Sequence, residues 1–420
     1  MKVFVVGSGA REHAILWKLA QSPRNPELFV APGNAGTAAI ATNLPIAVTD
    51  FGALVSAARE HGIDLTIVGP ELPLTLGIVD RFQREGLRIF GPTQAAARIE
   101  GSKSFARQIM RDAGAPTPAF EVFDDADAAR EYVRSQGAAL VIKADGLAAG
   151  KGVVVAQSVD EALEAVDDAM VTRAFGASGE RVVIEQCLVG QELSVFCFTD
   201  GECVTPLVPA CDYKRVFDGD QGPNTGGMGG YSPPPWWDAA MERQIRETCI
   251  EPIIREMARQ GSPFTGVLYG GLMLTDDGPA IIEFNARLGD PEAQLILPRM
   301  ENDLLDVVEA ALDGSLPSID LRWSGCTVGV VLAPGGYPGP HETGNVLAGL
   351  EEAEREAVVF QAGTALADDD RLVTGGSRTM TVVGCSATMA EARARAYAAA
   401  DMVTFEGKHY RRDIASFAVG

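Results

Sequence analysis

Short apolar runs that stop at glycine or proline alternate with helical spacing through the first hundred residues. Lys2–Val6 ends in Gly7-Ser8-Gly9, Leu28–Ala31 in Pro32-Gly33, Leu65–Val68 in Gly69-Pro70 and Arg88–Phe90 in Gly91-Pro92. After the first run, Ala14, Ile15, Leu16 and Leu19 recur at helical spacing over Glu12–Ala20. The pattern predicts a parallel, doubly wound α/β sheet with its ligand crevice at the strands' carboxyl ends.

The period changes beyond residue 100. A helix is expected from Gly101-Ser102-Lys103 to Asp112, closed by Pro116 and Pro118. Strand-like runs follow at Leu140–Lys143, Gly152–Ala156, Val182–Glu185 and Leu193–Phe198. A glycine-rich segment spans 218–235, and one helix is expected from Ala239 to Arg259. Strands Thr265–Leu274 and Ala280–Asn285 flank the turn Asp276-Asp277-Gly278. Past residue 326 come strands Thr327–Leu332 and Thr379–Val383 and an Ala-rich helix, Met389–Val403.

Charge narrows the range of partners. The 420 residues carry 35 Lys+Arg against 57 Asp+Glu, a net charge of −22, which excludes a nucleic-acid binder needing a basic face. A small phosphorylated ligand needs only a local cluster of cations. Only seven of those cations are lysine (2, 18, 103, 143, 151, 214 and 408), so each lysine position carries information. The apolar runs are too short for a signal sequence or a membrane span, so no membrane partner is expected. Seven cysteines without a C-x-x-C pair, and four scattered histidines, suggest neither disulfides nor a zinc site. A reducing, cytoplasmic location is expected.

Five segments could carry chemistry. Gly7-Ser8-Gly9-Ala10-Arg11-Glu12 begins like a dinucleotide fingerprint, but Glu12 takes the third glycine's place and no acid ends the second strand. A phosphate- or substrate-facing turn at Gly9 is the alternative, since helix N-terminal amides favour an anion. Lys143 and Lys151 bracket a loop with Gly146, Gly150 and Gly152 between two strands, which suits backbone amides and a point charge on phosphates. An ordinary surface hairpin is the bland reading. Glu185, Gln186, Leu188 and Glu192 suit an adenine–ribose slot, or else a hairpin with solvated acids. Glu283, Asn285 and Arg287 alternate along one strand face, giving two hard oxygen donors beside a guanidinium, as a Mg²⁺–phosphate site requires. Last, Asp212-Tyr213-Lys214-Arg215 precedes Asn224-Thr225-Gly226-Gly227-Met228-Gly229, a glycine loop with too many charged neighbours for a plain linker.

Together these segments resemble the ATP-grasp superfamily, and within it the phosphoribosylamine–glycine ligase (glycinamide ribonucleotide synthetase) family. The resemblance covers essentially the whole chain. It rests on Gly7 to Ala14, Ala31 to Thr37, Val68 to Leu74, Glu100-Gly101-Ser102-Lys103, Ile142 to Gly152, Gly222 to Gly229, Glu283-Phe284-Asn285 and Gly289-Asp290-Pro291-Glu292. The resemblance implies an α/β and α+β multidomain fold. An N-terminal substrate domain over 1–104 would be followed by an ATP-grasp region over 105–325, with a mobile lid at about 119–191. A small mixed C-terminal domain would occupy 326–420.

The implied reaction ligates glycine to 5-phosphoribosylamine with ATP, through glycyl phosphate, in purine biosynthesis. The resemblance assigns Lys103, Lys143, Gly146, Gly150, Lys151, Gly152, Glu185, Gln186, Leu188 and Glu192 to ATP, and Glu283 and Asn285 to Mg²⁺ or Mn²⁺. Arg287, Lys214 and Asp212 would act in catalysis. Gly9, the loop Asn224, Thr225, Gly226, Gly227, Met228, Gly229, and Asp290 and Pro291 would face the substrates. A monomer is expected. Gln186, Gln191, Tyr213, Ala286 and Pro340-His341 depart from the family pattern, and no acid lies between Val267 and Leu274, where a second metal ligand often sits. A second ion would draw on the nucleotide, on water or on Glu292. A bicarbonate-activating carboxylase should lack the Gly222–Gly229 loop. An NAD enzyme is disfavoured by Glu12, and a dead nucleotide-binding module by retention of Lys103, Lys143, Glu283, Asn285 and Arg287.

Overall fold

A computed structural model describes residues 1–137, 139–148 and 152–418. The first sheet is parallel: β1 Lys2–Gly7, β2 Glu27–Pro32, β3 Thr42–Asn43, β4 Leu65–Val68 and β5 Ile89–Phe90, in the order β3-β2-β1-β4-β5. Its Val and Ile side chains are buried on both faces, as a sheet covered by helices requires. The order reverses between β1 and β4, which opens the crevice at Gly7 and Gly69.

Next, β6 Phe120–Phe123, β7 Leu140–Ala144, β8 Val153–Ala156 and β9 Val182–Gln186 form an antiparallel sheet in the order β6-β9-β7-β8. Helices Ala126–Gln136 and Val159–Met170 bury a separate core with it, including Val133, Ile142, Val166 and Ile184.

The longest strands follow: β10 Gln191–Asp200 and β11 Val208–Asp212, a hairpin of β12 Arg215–Phe217 and β13 Gln221–Asn224, then β14 Gly229–Ser232, β15 Thr265–Thr275 and β16 Gly278–Asn285. Beyond them lie β17 Cys326–Pro334, β18 Val358–Gln361, the pair β19 Thr364–Leu366 and β20 Leu372–Thr374, β21 Met380–Ser386 and β22 Lys408–His409. One sheet runs β16-β15-β10-β11-β14-β17-β21-β18, so strands from before and after residue 325 share a ladder through β14 and β17.

Two expectations need correction. The segment Ala239–Arg259 is not one regular helix: α-turns at Ala239–Ile245 and Glu251–Arg259 flank a π-helical stretch, Arg246–Ile250. Pro252 has no N–H to return to Thr248, which favours the wider winding there. Arg287 lies beyond its strand, because β16 ends at Asn285. There the Glu100 carboxylate takes over, accepting from the Ala286 amide at 2.8 Å.

Candidate active site

Lys143, the fourth residue of β7, is 3% exposed. Its Nζ donates to the Ile282 carbonyl at 3.0 Å and pairs with Glu185 Oε2 on β9 at 2.8 Å. Arg107, from the helix Lys103–Asp112, grips both oxygens of the same carboxylate at 2.6 Å through Nε and Nη2. Two cations therefore share one buried acid. They hold Glu185 below the usual carboxylate range although burial alone pushes it up. Lys103 begins that helix, whose N-cap is Ser102 Oγ accepting from the Phe105 amide at 3.2 Å. Lys103 Nζ donates to Gly146 O at 2.9 Å. Asp145 moors the turn after β7 to the same helix, accepting from Ser102 Oγ at 3.0 Å, Ser104 N at 3.1 Å and Ser104 Oγ at 2.5 Å.

A narrow cleft lies beside these lysines, lined by Glu192, Ser194, Lys214, Gly271, Ile282 and Glu283. Lys214 pairs with Glu192 at 2.6 Å. Burial would raise Glu283, but Lys214, Lys143 and Lys103 together hold it below its ordinary value. Burial works against the Lys214 ammonium too, and Asp212, Glu192 and Glu283 outweigh it, so its pKa is raised. Asp212 is pushed up, by burial first and then by Glu192, against the pull of Lys214. Three lysines thus converge electrostatically on one ionised carboxylate. Gly271 is the β15 partner of Glu283, so the strand before it offers no second acid. Among the described residues no group of three or more His, Cys, Asp or Glu side chains could cage a metal. Glu283 and Asn285 supply hard oxygens and leave most positions open, which suits Mg²⁺ shared with phosphate and water.

Glu12 fills the part of the parallel sheet's crevice between Gly7 and Gly69. Glu12 is 1% exposed; its Oε2 accepts from Gly9 N at 2.6 Å, and its Oε1 from Arg11 Nε at 2.6 Å. A Cβ on Gly69 would sit 2.0 Å from Glu12 Oε1, so this side chain occupies the space where a dinucleotide's pyrophosphate would lie. Arg287 Nε donates to Glu71 at 3.0 Å and Nη2 to Glu100 at 2.8 Å, with Asn285 Oδ1 at 3.3 Å. Burial would raise Glu71, yet Arg287 and Arg11 bring it down to about 2. Glu100 is raised, burial outweighing Arg287.

On the far side, the glycine loop meets the Asp290–Pro291 turn. Gly227 has φ +107°, and a Cβ there would lie 2.5 Å from Pro291 Cδ, so only glycine fits. Asp290 accepts from Gln294 at 2.8 Å and pairs with Arg378 at 3.3 Å, and its Oδ2 lies 3.2 Å from where a Gly9 Cβ would be. Glu292 is 3% exposed and accepts from the Tyr269 hydroxyl at 3.0 Å. Burial, then the charge of Asp212, push it up to about 7, toward a proton rather than a metal.

Glu192, Lys214 and Glu283 therefore line one cleft, Lys143 bonds the Ile282 carbonyl at its wall, and Asn285 and Arg287 follow Glu283 in the chain. Gly152 O accepts the Ala144 amide at 2.8 Å and closes the β7–β8 loop, while Gly150 and Lys151 lie outside the described residues. Gln186 ends β9 exposed and Leu188 is half-buried just beyond it. The Glu185 carboxylate, placed beside the nucleotide by the sequence, is engaged by Arg107 and Lys143. Met228 is fully buried among Val216 and Ala333, and its amide and carbonyl bond Tyr213 O and Val331 N, so it anchors the loop. Asn224 is exposed, Thr225 Oγ1 donates to Lys214 O at 2.8 Å, and Gly229 begins β14. The sequence reading missed Arg107, Glu71, Tyr337 and Arg378. Arg107 stands one helical turn after Lys103, a spacing that could have found it; the others come together only through long-range packing.

The comparisons cover the chain from end to end. Its residues 1–100, 101–293 and 327–417 match the models of the N domain, the ATP-grasp (A) domain and the C domain of phosphoribosylglycinamide synthetase. It is 51% identical to the phosphoribosylamine–glycine ligase of Halalkalibacterium halodurans over 100% of this chain and 97% of that one. Identity to the Salmonella typhimurium enzyme of the same name is 49%, over 99% and 98% of the two chains. The crystal structure of the Thermotoga maritima phosphoribosylamine–glycine ligase superposes with a TM-score of 0.87 at 36% identity, covering 99% and 100%. The biotin carboxylase domain of a Hydrogenobacter thermophilus 2-oxoglutarate carboxylase, bound to magnesium ADP, has a TM-score of 0.74 at 14% identity over 97% and 91%, a likeness of fold.

Proposed function

The chain belongs to the phosphoribosylglycinamide synthetase family, and from that premise we propose how its residues divide the work of ligation. The reaction joins glycine to 5-phosphoribosylamine with ATP, giving glycinamide ribonucleotide, ADP and phosphate, a step of purine biosynthesis. A glycine carboxylate oxygen attacks the γ-phosphorus of ATP; the new O–P bond replaces the β,γ-bridge and ADP leaves. The amine of phosphoribosylamine then attacks the carbonyl carbon of glycyl phosphate. A C–N bond forms, the C–O bond to phosphate breaks, and the nitrogen loses a proton. Neither step needs a protein nucleophile. Both need reacting groups held in line and negative charge neutralised.

Lys103 and Lys143 serve the phosphates, with the Gly146–Gly152 loop over them and the Gln186–Leu188 segment beside adenine. Glu192 reaches the ribose once Lys214 turns to the transferring group. Glu283 and Asn285 would hold Mg²⁺ or Mn²⁺, which supplies Lewis-acid neutralisation of the phosphate oxygens. Arg287, oriented by Glu71 and Glu100, adds charge at the developing acyl phosphate, and Asp212 keeps Lys214 protonated. Gly9, the Asn224–Gly229 loop, Asp290 and Pro291 hold the two substrates. The domain division at 104 and 325 belongs to the same proposal. One chain carries every group named, which supports a monomer. The cysteines, free among the described residues, suit the cytoplasm.

The observation that carries this reading is that Lys214 and the half-buried Glu283 line one cleft, with Lys143 bonded to the adjacent Ile282 carbonyl. ATP-dependent phosphate release, with glycine and phosphoribosylamine omitted in turn, tests it. Full release should require both. Release driven by bicarbonate without glycine would overturn it.

A further inference from the structure

Between Asn224 and Gly229 the glycine loop has no cation of its own, yet a guanidinium from far along the chain is set against it. Arg378 precedes β21. Its Nη1 donates to Gly226 O at 2.6 Å, to Asp290 O at 2.8 Å and, more weakly, toward Gly227 O at 3.4 Å. Its Nη2 lies 3.3 Å from Asp290 Oδ1. The Tyr337 hydroxyl accepts from the Gly226 amide at 3.0 Å. The backbone at Gly226 is therefore held on its donor side and its acceptor side by residues 111 and 152 positions later. None of these bonds involves Lys103, Lys143 or Glu283.

We infer that Arg378 is a positioning residue of the ligation reaction, clamping the glycine loop to the Asp290–Pro291 turn so that residues beyond 326 complete the substrate side. The inference rests on the proposed placement of that loop and of Asp290 beside glycine and phosphoribosylamine. Glycine-rich backbone loses more freedom on ordering than any other, so an untied loop would be ordered only at the expense of substrate affinity. Arg378 Nη1 bridges the Gly226 and Asp290 carbonyls while Nη2 faces the Asp290 carboxylate, and an ammonium, a point charge on a flexible stem, has no second nitrogen to span carbonyls and carboxylate together.

The test is steady-state kinetics of Arg378→Ala, Arg378→Lys and Tyr337→Phe in the full-length enzyme. Arg371→Ala, whose arginine pairs with exposed Asp369 at 2.7 Å, is the control. Arg378→Ala should raise KM for glycine and phosphoribosylamine together by about 10- to 100-fold, with KM for ATP within about twofold. Arg378→Lys should stay impaired by about tenfold, and Tyr337→Phe by about threefold. Added guanidinium ion should restore part of the loss in Arg378→Ala, a response that a merely unstable variant would not give. Asp290→Asn is measured alongside. If it shifts the two KM values and Arg378→Ala does not, the clamp is wrong and the substrate-side reading stands. If neither variant shifts them, that reading falls as well.

Discussion

Changing Glu185 to Gln removes the one negative charge between two buried cations, and the cost can be worked from the geometry. The carboxylate receives charge-assisted hydrogen bonds at 2.6, 2.6 and 2.8 Å, and Arg107, Lys143 and Glu185 are each no more than 3% exposed. Breaking a buried ion pair on one side costs about 3–5 kcal/mol. Lys143 has one escape, which is to lose its proton. Burial already lowers it, Arg107 adds to that, and Glu185 is the largest force in the other direction, with Glu283 behind it. In the variant the folded Lys143 therefore titrates lower still, while unfolded lysine stays near about 10.4. Between those two values the unfolded chain binds more protons than the folded one, so the variant's stability rises with pH. Glu185 itself adds no slope there, because its folded pKa is depressed and its contribution is lost only under acid. Glu185→Gln should thus lose about 3–5 kcal/mol at pH 7, with the gap to wild type narrowing toward pH 9. KM for ATP should climb over the same range as Lys143 loses the charge that meets phosphate. Hydrogen exchange of the β9 amides, read with urea unfolding at both pH values, measures the first, and initial rates the second. A deficit below about 1 kcal/mol at pH 7, or a gap that widens with pH, refutes the reasoning.

Three further perturbations follow from the same geometry. Glu283→Gln should cut turnover by about a thousandfold or more and abolish its response to added Mg²⁺, measured as phosphate release against metal concentration. Gly227→Ala puts a methyl 2.5 Å from Pro291 Cδ at φ +107°, so kcat/KM for glycine should fall by about tenfold while KM for ATP holds. Tyr269→Phe removes the hydroxyl that favours ionised Glu292, so the titration near about 7 should move upward by carboxyl ¹³C NMR. Because folded Glu292 keeps its proton above the ordinary 4.5, it adds stability as pH falls from about 7 toward 4.5, and the variant should extend that window upward.

The strands of the parallel sheet were legible because each is a short β-branched run cut off by glycine or proline, and the Leu65–Val68 run became β4 without a residue's change. Glu12 was legible as an anomaly, a long acid where a dinucleotide fingerprint has glycine. The fold explains it as a side chain that fills the crevice between Gly7 and Gly69 and caps Gly9 from within. The break in the Ala239–Arg259 helix was legible in Pro252, which has no N–H to close the turn on Thr248. The pairing of Glu185 with Arg107 was not legible, because the guanidinium that answers its charge comes from another element. Arg378 and Tyr337 gave no local signal. Their partners sit in a loop more than a hundred residues earlier, and only the shared ladder through β14 and β17 brings them near.

The claim that glycine's carboxylate accepts the γ-phosphoryl group can be read directly from isotope transfer. With glycine labelled by ¹⁸O in both carboxylate oxygens, one turnover of ATP and phosphoribosylamine should release inorganic phosphate carrying a single ¹⁸O. Phosphate released without label would contradict it.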